Sequence, residues 1–446
     1  MNQAMALTIQ RLLFKNKIMD KKVAQLIINK LGSSGTPPEI GVELFSIGLD
    51  KYLKVIEDEY LNGILKNYHL SSFKLVVGNY GGGKTHFLYS VRNLAFKNGY
   101  VVVYVPLNPT ECPFDKLELV YKQIINNIQI IPKFQGDLAF PITGIEAFIE
   151  HWFSSVKEKL EHANAINDYL NTLRGIESIS FLNAVKGAFF NLSIDNSEEF
   201  IAVIQYLKGE EVGKEIRARY RISERIDKST AFRMIRSFIQ WIHLIGYSGV
   251  IFLFDEAERG ISMSSSKDKR KALDNLRQIV DECGNSRLPG AMFFYAIPDE
   301  NLLLEGAGGV YEALKQRLTT VFSNINPLGV KIDLEKLGIS PVEFLNELGE
   351  KLVEIFCVAY DFTISPEDRK KLIKIFSEKS ALAYGYDISY RRLFIVALIS
   401  ALQSARNEKN VLKQILTNSS EVDKFLRITS RKLITEEQKN VTETEF

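Results

Sequence analysis

The chain has 446 residues, of which 46% are hydrophobic and 25% are charged, as is typical of a folded globular protein. Lys plus Arg (56) nearly balances Asp plus Glu (54), so the net charge of +2 neither demands nor excludes a nucleic-acid partner. Three scattered cysteines show neither metal-ligand spacing nor a disulfide framework, which fits a reducing compartment and predicts a cytoplasmic protein. The longest apolar stretches are shorter than the roughly 18 residues of a membrane span, so we expect no membrane partner.

Strands alternating with helices are predicted for most of the chain. Helical periodicity over residues 1–31 is interrupted by glycine and proline at 32–39, and a helix resumes from about Asp50. Such alternation predicts a parallel sheet between layers of helices, and the all-helical end predicts a second, smaller domain. Strands are predicted at FKLVVG (73–78), YVVVYVPL (100–107), GVIFLFDEAE (249–258), AMFFYAIP (291–298) and VKIDLEKL (330–337). The unbroken apolar runs of the second and third indicate that these two are buried.

A glycine-rich motif follows the first predicted strand and opens a helix. Its spacing is G-x-x-x-x-G-K-T, with Gly78, Gly83, Lys84 and Thr85 at the defined positions. Glycines let backbone N–H groups wrap phosphates, the helix N-terminus adds donors, the lysine reaches the β- and γ-phosphates, and the threonine holds Mg²⁺. A glycine-rich turn with a surface lysine is the alternative. The predicted nucleotide-binding residues are Ile47, Gly48, Gly78, Asn79, Tyr80, Gly81, Gly82, Gly83, Lys84, Thr85 and His86.

Acidic residues end the third predicted strand, where an α/β sheet places its ligands. We predict that Asp255 binds magnesium together with Thr85, and that Glu256 orients and deprotonates the attacking water. Acids often end strands, so this assignment depends on the glycine motif. Glu258 is either a second acid of the site or a solvated surface group.

ATP hydrolysis also needs a positively charged group that stabilises the negative charge developing on the γ-phosphate. Arg317 follows the fourth predicted strand and is a candidate arginine finger supplied by a neighbouring subunit, which implies a homo-oligomer; a helix-surface arginine is the alternative. Arg391 and Arg392 open a helix near the C-terminus, where one of them is a candidate sensor or ordinary surface charge. Ile47, Gly48 and Asp50 precede the glycine motif and are candidates for contact with the base of the nucleotide. For Asp50, an ordinary helix cap is the alternative.

These motifs and the helical end resemble AAA+-type P-loop ATPases related to the origin-recognition and STAND groups. Four segments, "SSGTPPEIGVELFSIG", "FKLVVGNYGGGKTHFLYSVRNLAFKNGYVVVYVPLNP", "YLKGEEVGKEIRARY" and "IGYSGVIFLFDEAE", resemble the BREX-system ATP-binding protein family, the BrxD-like P-loop proteins, over roughly residues 20–400. The resemblance implies a cytoplasmic ATPase of a prokaryotic anti-phage system that acts with a helicase, nuclease or methyltransferase. In this sequence Gly82 stands where relatives often carry serine or another small residue.

The sequence between Lys84 and Asp255 is much longer than one strand-helix-strand-helix unit requires, which predicts a helical insertion of about 100 residues. We therefore predict an N-terminal helical segment (1–45), a first part of the ATPase core (46–130), the helical insertion (131–235), a second part of the core (236–335), and a C-terminal helical lid domain with a tail (336–446).

A basic cluster in the predicted insertion is a candidate DNA contact, because bunched lysines and arginines neutralise phosphates. A solvated helix face or a subunit contact is the alternative. Three functions remain open: an ATPase that drives a defence assembly, a slow nucleotide-controlled switch, and an initiator-type DNA-loading ATPase. The cluster contains Lys214, Arg217, Arg219, Arg221 and Arg225.

Overall fold

The structure is a computed structural model that describes residues 19–132, 140–159, 165–261, 265–301, 305–306, 309–310, 312–323, 325–382 and 389–442. They form two compact units. The first contains Tyr80–Gly82 and the described parts of Met1–Gly48 and Leu337–Phe446, and the second contains Leu49–Asn79 and the described parts of Gly83–Lys336. The first 18 residues of the helix predicted over 1–31 lie outside the described residues.

The second unit contains the strands β1 (Ser72–Val77), β2 (Val101–Pro106), β3 (Ile128–Ile130), β4 (Ile142–Thr143), β5 (Val250–Asp255), β6 (Ala291–Ile297) and β9 (Lys331–Asp333). They form a seven-stranded sheet in the order β4-β3-β2-β5-β6-β1-β9. The five strands β2, β5, β6, β1 and β9 are parallel to one another, which confirms the predicted alternating α/β arrangement. All five predicted strands are present. A separate two-stranded sheet is formed by β7 (Glu305–Gly306) and β8 (Gly309–Val310).

The prediction of a wholly parallel sheet is wrong at one edge. There β3 pairs antiparallel with β2, and β4 pairs antiparallel with β3, so the sheet is mixed. These strands have three and two residues, too few for a period-two pattern to distinguish them from loop. β4 also lies inside the stretch 131–235 that the sequence predicts to be helical.

Burial on both faces explains why the central strands read as unbroken apolar runs. Every residue of β5 and of β6 is buried, as expected for parallel strands covered by helices on both sides. Across these strands the rings of Phe252 and Phe293 stack with centroids 4.4 Å apart and planes within 4°. Because β6 pairs with both β1 and β5, the sheet fixes the positions of the carboxyl ends of β1 and β5 relative to each other.

Helices of the second unit flank the sheet and build the long connection between β4 and β5. The stretch before β1 is continuous and consists of an α-helix, a π-helix and a short α-helix. The helices of the second unit are α2 (Asp50–Val55), the π-helix Ile56–Ile64, α3 (Leu65–Tyr68), α4 (Lys84–Lys97), α5 (Leu117–Asn126), α6 (Ile145–Lys157), α7 (Ala165–Thr172), α8 (Ile179–Ser193), α9 (Ser197–Leu207), α10 (Lys214–Arg219), α11 (Ala231–Leu244), α12 (Ser266–Gly284) and α13 (Glu312–Leu318).

The first unit is helical and brings both ends of the described chain together. Helix α1 (Lys21–Ser34) packs on α14 (Pro341–Tyr360) and on α16 (Tyr390–Asn407). A capping box of Ser340 and Glu343 begins α14, with proline at its first position. None of the helices in the described ranges is both long and apolar enough to cross a membrane. The remaining helices are α15 (Pro366–Ala381), α17 (Lys409–Thr417) and α18 (Ser420–Thr442).

Candidate functional site

The glycine-rich segment connects β1 to the N-terminus of α4. Gly83 is the N-cap of α4 and has φ 94°, and Gly81 has φ 68°, backbone conformations that favour glycine. Helix α4 begins at Lys84, so its first backbone N–H groups face the loop without intrahelical partners. The predicted strand-loop-helix context of the motif is present.

The amino group of Lys84 is folded back onto the loop. It is 8% exposed, and its Nζ donates to the carbonyl oxygens of Gly78 at 2.7 Å and Asn79 at 3.2 Å. Burial lowers the pKa of Lys84, while four carboxylates, from Glu258, Asp255, Glu335 and Glu256, act in the opposite direction. A buried cation thus stands beside the loop with acidic groups around it.

Three donors converge on the carboxylate of Asp255, the last residue of β5. Its Oδ2 accepts hydrogen bonds from the Thr85 hydroxyl at 2.7 Å and the Tyr104 hydroxyl at 2.8 Å. Its Oδ1 accepts from the backbone N–H of Glu256 at 2.9 Å. With 3% exposure, the Asp255 side chain is almost sealed from water. The structure therefore brings together the threonine and the aspartate that the sequence assigns to one site.

The residues after Asp255 carry two further carboxylates. Glu256 has φ 50°, a conformation that is uncommon for a side-chain-bearing residue, and it pairs with Arg259 at 3.2 Å. Burial raises the pKa of Glu256, and the nearby Arg259 partly offsets this. Burial also raises the pKa of Glu258, whose Oε2 is buried and has no hydrogen-bond partner. Glu258 is therefore not a solvated surface group.

The donor set fits a magnesium–nucleotide complex. Mg²⁺ prefers oxygen ligands, and it commonly uses one or two protein groups plus water and substrate phosphates. The Thr85 hydroxyl and the Asp255 carboxylate, 2.7 Å apart, are such groups. Within the described ranges no cluster of three or more His, Cys, Asp or Glu residues could hold a metal by itself, so phosphate oxygens and water would complete the coordination.

The candidate arginines make contacts of their own. Arg317, on α13, forms an ion pair with Asp281 of α12 through Nε and Nη2. Arg391 donates to the carbonyl of Gly82, and Arg392 donates to the carbonyl of Ser34 at 2.6 Å. None of these contacts tests whether Arg317 acts as an arginine finger or whether Arg391 or Arg392 acts as a sensor, so both roles stay predictions.

The other predicted nucleotide-binding residues differ in accessibility. Ile47 is buried, and a Cβ at Gly48 would lie 2.9 Å from the Ile339 side chain, so both are closely packed. Asp50 is the first residue of α2 and Leu49 is its N-cap, so the suggested capping role of Asp50 is wrong. The remaining members are Tyr80, which is 63% exposed, Gly81, whose carbonyl accepts from Ser389 Oγ at 3.0 Å, and the half-buried His86.

Two members of the basic cluster form ion pairs with glutamates, whereas the other three line a groove. Arg219 pairs with Glu199, and Arg225 pairs with Glu211 at 3.2 Å. The Arg217 guanidinium binds the carbonyls of Ile222 and Ser223 at 3.4 and 3.2 Å. A shallow groove of about 440 Å³ is lined by Lys214, Arg217, Ala218, Arg221, Ile222 and Ser223.

Two residues near the site were missed by the sequence analysis. Tyr104 is in the middle of the apolar strand β2, where the pattern predicts that an aromatic residue packs in the hydrophobic core. Glu335 Oε1 accepts from the backbone N–H of Asn79 at 3.2 Å, across 256 positions of sequence. The one signal for Tyr104 is its place two residues before the end of a parallel strand, beside the strand that carries Asp255.

Fold and site together define a mixed α/β protein with a glycine loop, a buried lysine and a threonine–aspartate pair at the carboxyl ends of its strands. A model of the family described as BREX system ATP-binding protein BrxC/D matches residues 19–420. The chain belongs to this family, which confirms the resemblance seen in the sequence and supports ATP binding and a role in the BREX system. No curated protein and no solved structure gave a match.

Proposed function

We propose that the chain is a Mg²⁺-dependent, AAA+-like P-loop ATPase that couples ATP turnover to a DNA-targeting assembly of the BREX defence system in the cytoplasm. One observation carries the proposal. The Thr85 hydroxyl reaches the Asp255 carboxylate at 2.7 Å across 170 positions of sequence, beside the buried Lys84. Family membership supports ATP as the nucleotide.

In the proposed reaction the loop amides and Lys84 bind the phosphates, and Thr85 and Asp255 hold the magnesium. When bound, Mg²⁺ supplies charge neutralisation at the phosphate oxygens. Glu256 accepts a proton from water as the water oxygen bonds to the γ-phosphorus and the bond to the β-phosphate oxygen breaks, releasing ADP and phosphate. The raised pKa of Glu256 brings this base closer to the operating pH.

An arginine finger in a homo-oligomer is part of the proposal. Arg317 would leave Asp281 and stabilise the γ-phosphate charge of a neighbouring subunit. Arg391 or Arg392, both in the first turn of α16, would act as the sensor of the γ-phosphate. A helicase, nuclease or methyltransferase partner follows from the family's defence role.

Calorimetric titration of the full chain with ATP and ADP tests the core of this proposal. The wild-type protein should bind both, and Lys84→Ala should lose at least tenfold in affinity because a charge-assisted phosphate contact is removed. Lys97→Ala is the matched control, an exposed lysine on the same helix. If the folded wild-type protein takes up neither nucleotide, the proposal is wrong. Steady-state turnover then separates an ATPase from a slow switch.

We also propose DNA as a ligand of the basic groove. The observation in its favour is that Lys214, Arg217 and Arg221 line one groove, whereas Arg219 and Arg225 are paired with glutamates. Phosphate neutralisation by such side chains gives binding that weakens steeply with salt. This contact would suit either the coupled ATPase or an initiator-type DNA-loading ATPase.

A further inference from the structure

The orientation of the Asp255 carboxylate is set by donors from three parts of the fold. Thr85 comes from α4, Glu256 from the turn after β5, and Tyr104 from β2. The Tyr104 hydroxyl and the Thr85 hydroxyl share the same acceptor, Oδ2. Because the Asp255 side chain is 3% exposed, these donors rather than bulk water decide where its oxygens point.

Tyr104 is itself held in place from two sides. Strand β2 runs parallel to β5, with Tyr104 opposite Leu253 and Pro106 opposite Asp255. The ring of Tyr89 packs on the Tyr104 ring with centroids 5.0 Å apart. Tyr89 lies one helical turn after Thr85 on α4, so one helix positions both hydroxyl donors of Oδ2.

The phenol can act only as a donor towards a carboxylate. A tyrosine hydroxyl is protonated at neutral pH, since its ordinary pKa is about 10. Burial, together with the charge of Asp255, raises the pKa of Tyr104 further. The Tyr104 hydroxyl is therefore the donor in its 2.8 Å hydrogen bond to Asp255 Oδ2.

We propose that Tyr104 is a positioning residue that preorganises Asp255 for the Mg²⁺ of a magnesium–nucleotide complex. This inference rests on the proposed function. Without the Tyr104 hydroxyl, Thr85 is the one side-chain donor that remains on Oδ2. The carboxylate is then less well oriented before binding, and the free energy of orienting it weakens the binding of the magnesium–nucleotide complex. Loss of the hydroxyl should weaken the magnesium-dependent part of nucleotide affinity. The magnesium-free part should be unchanged, because the loop amides and Lys84 carry it.

The test is calorimetric titration of ADP into the full chain, once with Mg²⁺ and once with EDTA. We expect Tyr104→Phe to lower the ratio of the two affinities about tenfold, as for a lost hydrogen bond to a charged group, and to leave the EDTA affinity within about twofold of wild type. Tyr100→Phe is the matched control, because it removes a buried hydroxyl that donates to the Leu61 carbonyl at 2.6 Å. This control should keep the wild-type ratio.

A second variant guards against a folding defect in the first. Tyr89→Leu removes the ring that packs on Tyr104 and should lower the same ratio by a smaller factor. An unchanged ratio in both variants overturns the proposal, as does an equal loss of affinity with Mg²⁺ and with EDTA, which a purely structural role would produce. If the wild-type chain binds no ADP in either buffer, the proposed function fails first, and this inference fails with it.

Discussion

Thr85 donates its hydroxyl hydrogen to Asp255 Oδ2 at 2.7 Å, although the two residues lie 170 positions apart and on different elements. Thr85 is the second residue of α4, which follows β1 after the glycine-rich segment, and Asp255 is the last residue of β5. Strand β6 lies between β1 and β5 in the sheet. In an open α/β sheet, loops at the carboxyl ends of the strands meet above its edge. This contact between the two residues that are predicted to bind magnesium is the main reason to treat them as one site.

Replacing Glu256 by glutamine should separate binding from turnover. The amide is isosteric with the carboxylate but cannot accept a proton, so Glu256→Gln should bind ATP with wild-type affinity and lose about 10²- to 10⁴-fold in turnover. Steady-state phosphate release, paired with calorimetry, measures both quantities. Glu343→Gln, at an exposed position of α14, is the control. Turnover near the wild-type rate in Glu256→Gln would assign the base elsewhere.

Mixing two inactive variants tests the arginine finger. Arg317→Ala should lose turnover and keep ATP affinity, since its side chain acts on a neighbour's γ-phosphate. In a shared site, adding Glu256→Gln protein should restore part of the activity, because some interfaces then combine an intact base with an intact finger. The matched control is Arg277→Ala, which removes another arginine that pairs with Asp281. Full turnover by Arg317→Ala alone contradicts the assignment.

Charge reversal in the basic groove should weaken DNA binding. We expect Lys214→Glu/Arg221→Glu to lose at least tenfold in affinity for a 30-base-pair duplex and to flatten its salt dependence, since fewer phosphates are neutralised. Fluorescence anisotropy at several salt concentrations measures this. Lys370→Glu/Lys371→Glu, exposed residues of α15, make the same change in net charge elsewhere. Equal losses in both double variants would mean that the groove has no special part in binding.

A buried lysine should make the stability of the second unit depend on pH. Lys74, 1% exposed, donates to the Tyr60 hydroxyl and the Gly329 carbonyl, each at 2.6 Å. Burial lowers the pKa of Lys74 to about 7 from 10.5. Between these values the unfolded chain binds more protons than the folded one, so the free energy of unfolding rises with pH, by at most about 1.4 kcal/mol per unit.

Lys74→Met should remove the contribution of Lys74 to this slope between pH 7.5 and 9.5. The thiols of Cys112 and Cys283, whose pKa values burial raises, contribute with the opposite sign in both proteins, so the quantity to compare is the difference in slope between the variant and the wild type. Urea unfolding followed by tryptophan fluorescence is suitable because Trp152 and Trp241 both belong to the second unit. Tyr60 does not titrate in this range, since burial raises its pKa to about 12. The exposed Lys66 offers a matched substitution to methionine that should keep the wild-type slope. Identical slopes for Lys74→Met and wild type would show that Lys74 keeps its proton throughout.

Contiguous patterns account for what could be predicted from the sequence. The parallel strands β1, β2, β5 and β6 appear as mostly apolar runs because burial on both faces favours apolar residues, whereas β9 has a lysine and an aspartate that are only partly buried. The glycine motif is readable because its donors lie within eight neighbouring residues. Edge strands β3 and β4 were missed because they are too short for any period, and the mixed character of the sheet was missed with them.

The sequence by itself determined the family, the α/β alternation and the residue types of the candidate site, since each depends on local spacing. Tertiary structure decided which distant groups meet: Tyr104 on Asp255, Glu335 on the loop, a buried Glu258 oxygen, and the ion pairs that divide the basic cluster. These contacts join residues that are far apart in the chain. Their formation depends on strand order and helix packing, which one sequence does not reveal through periodicity.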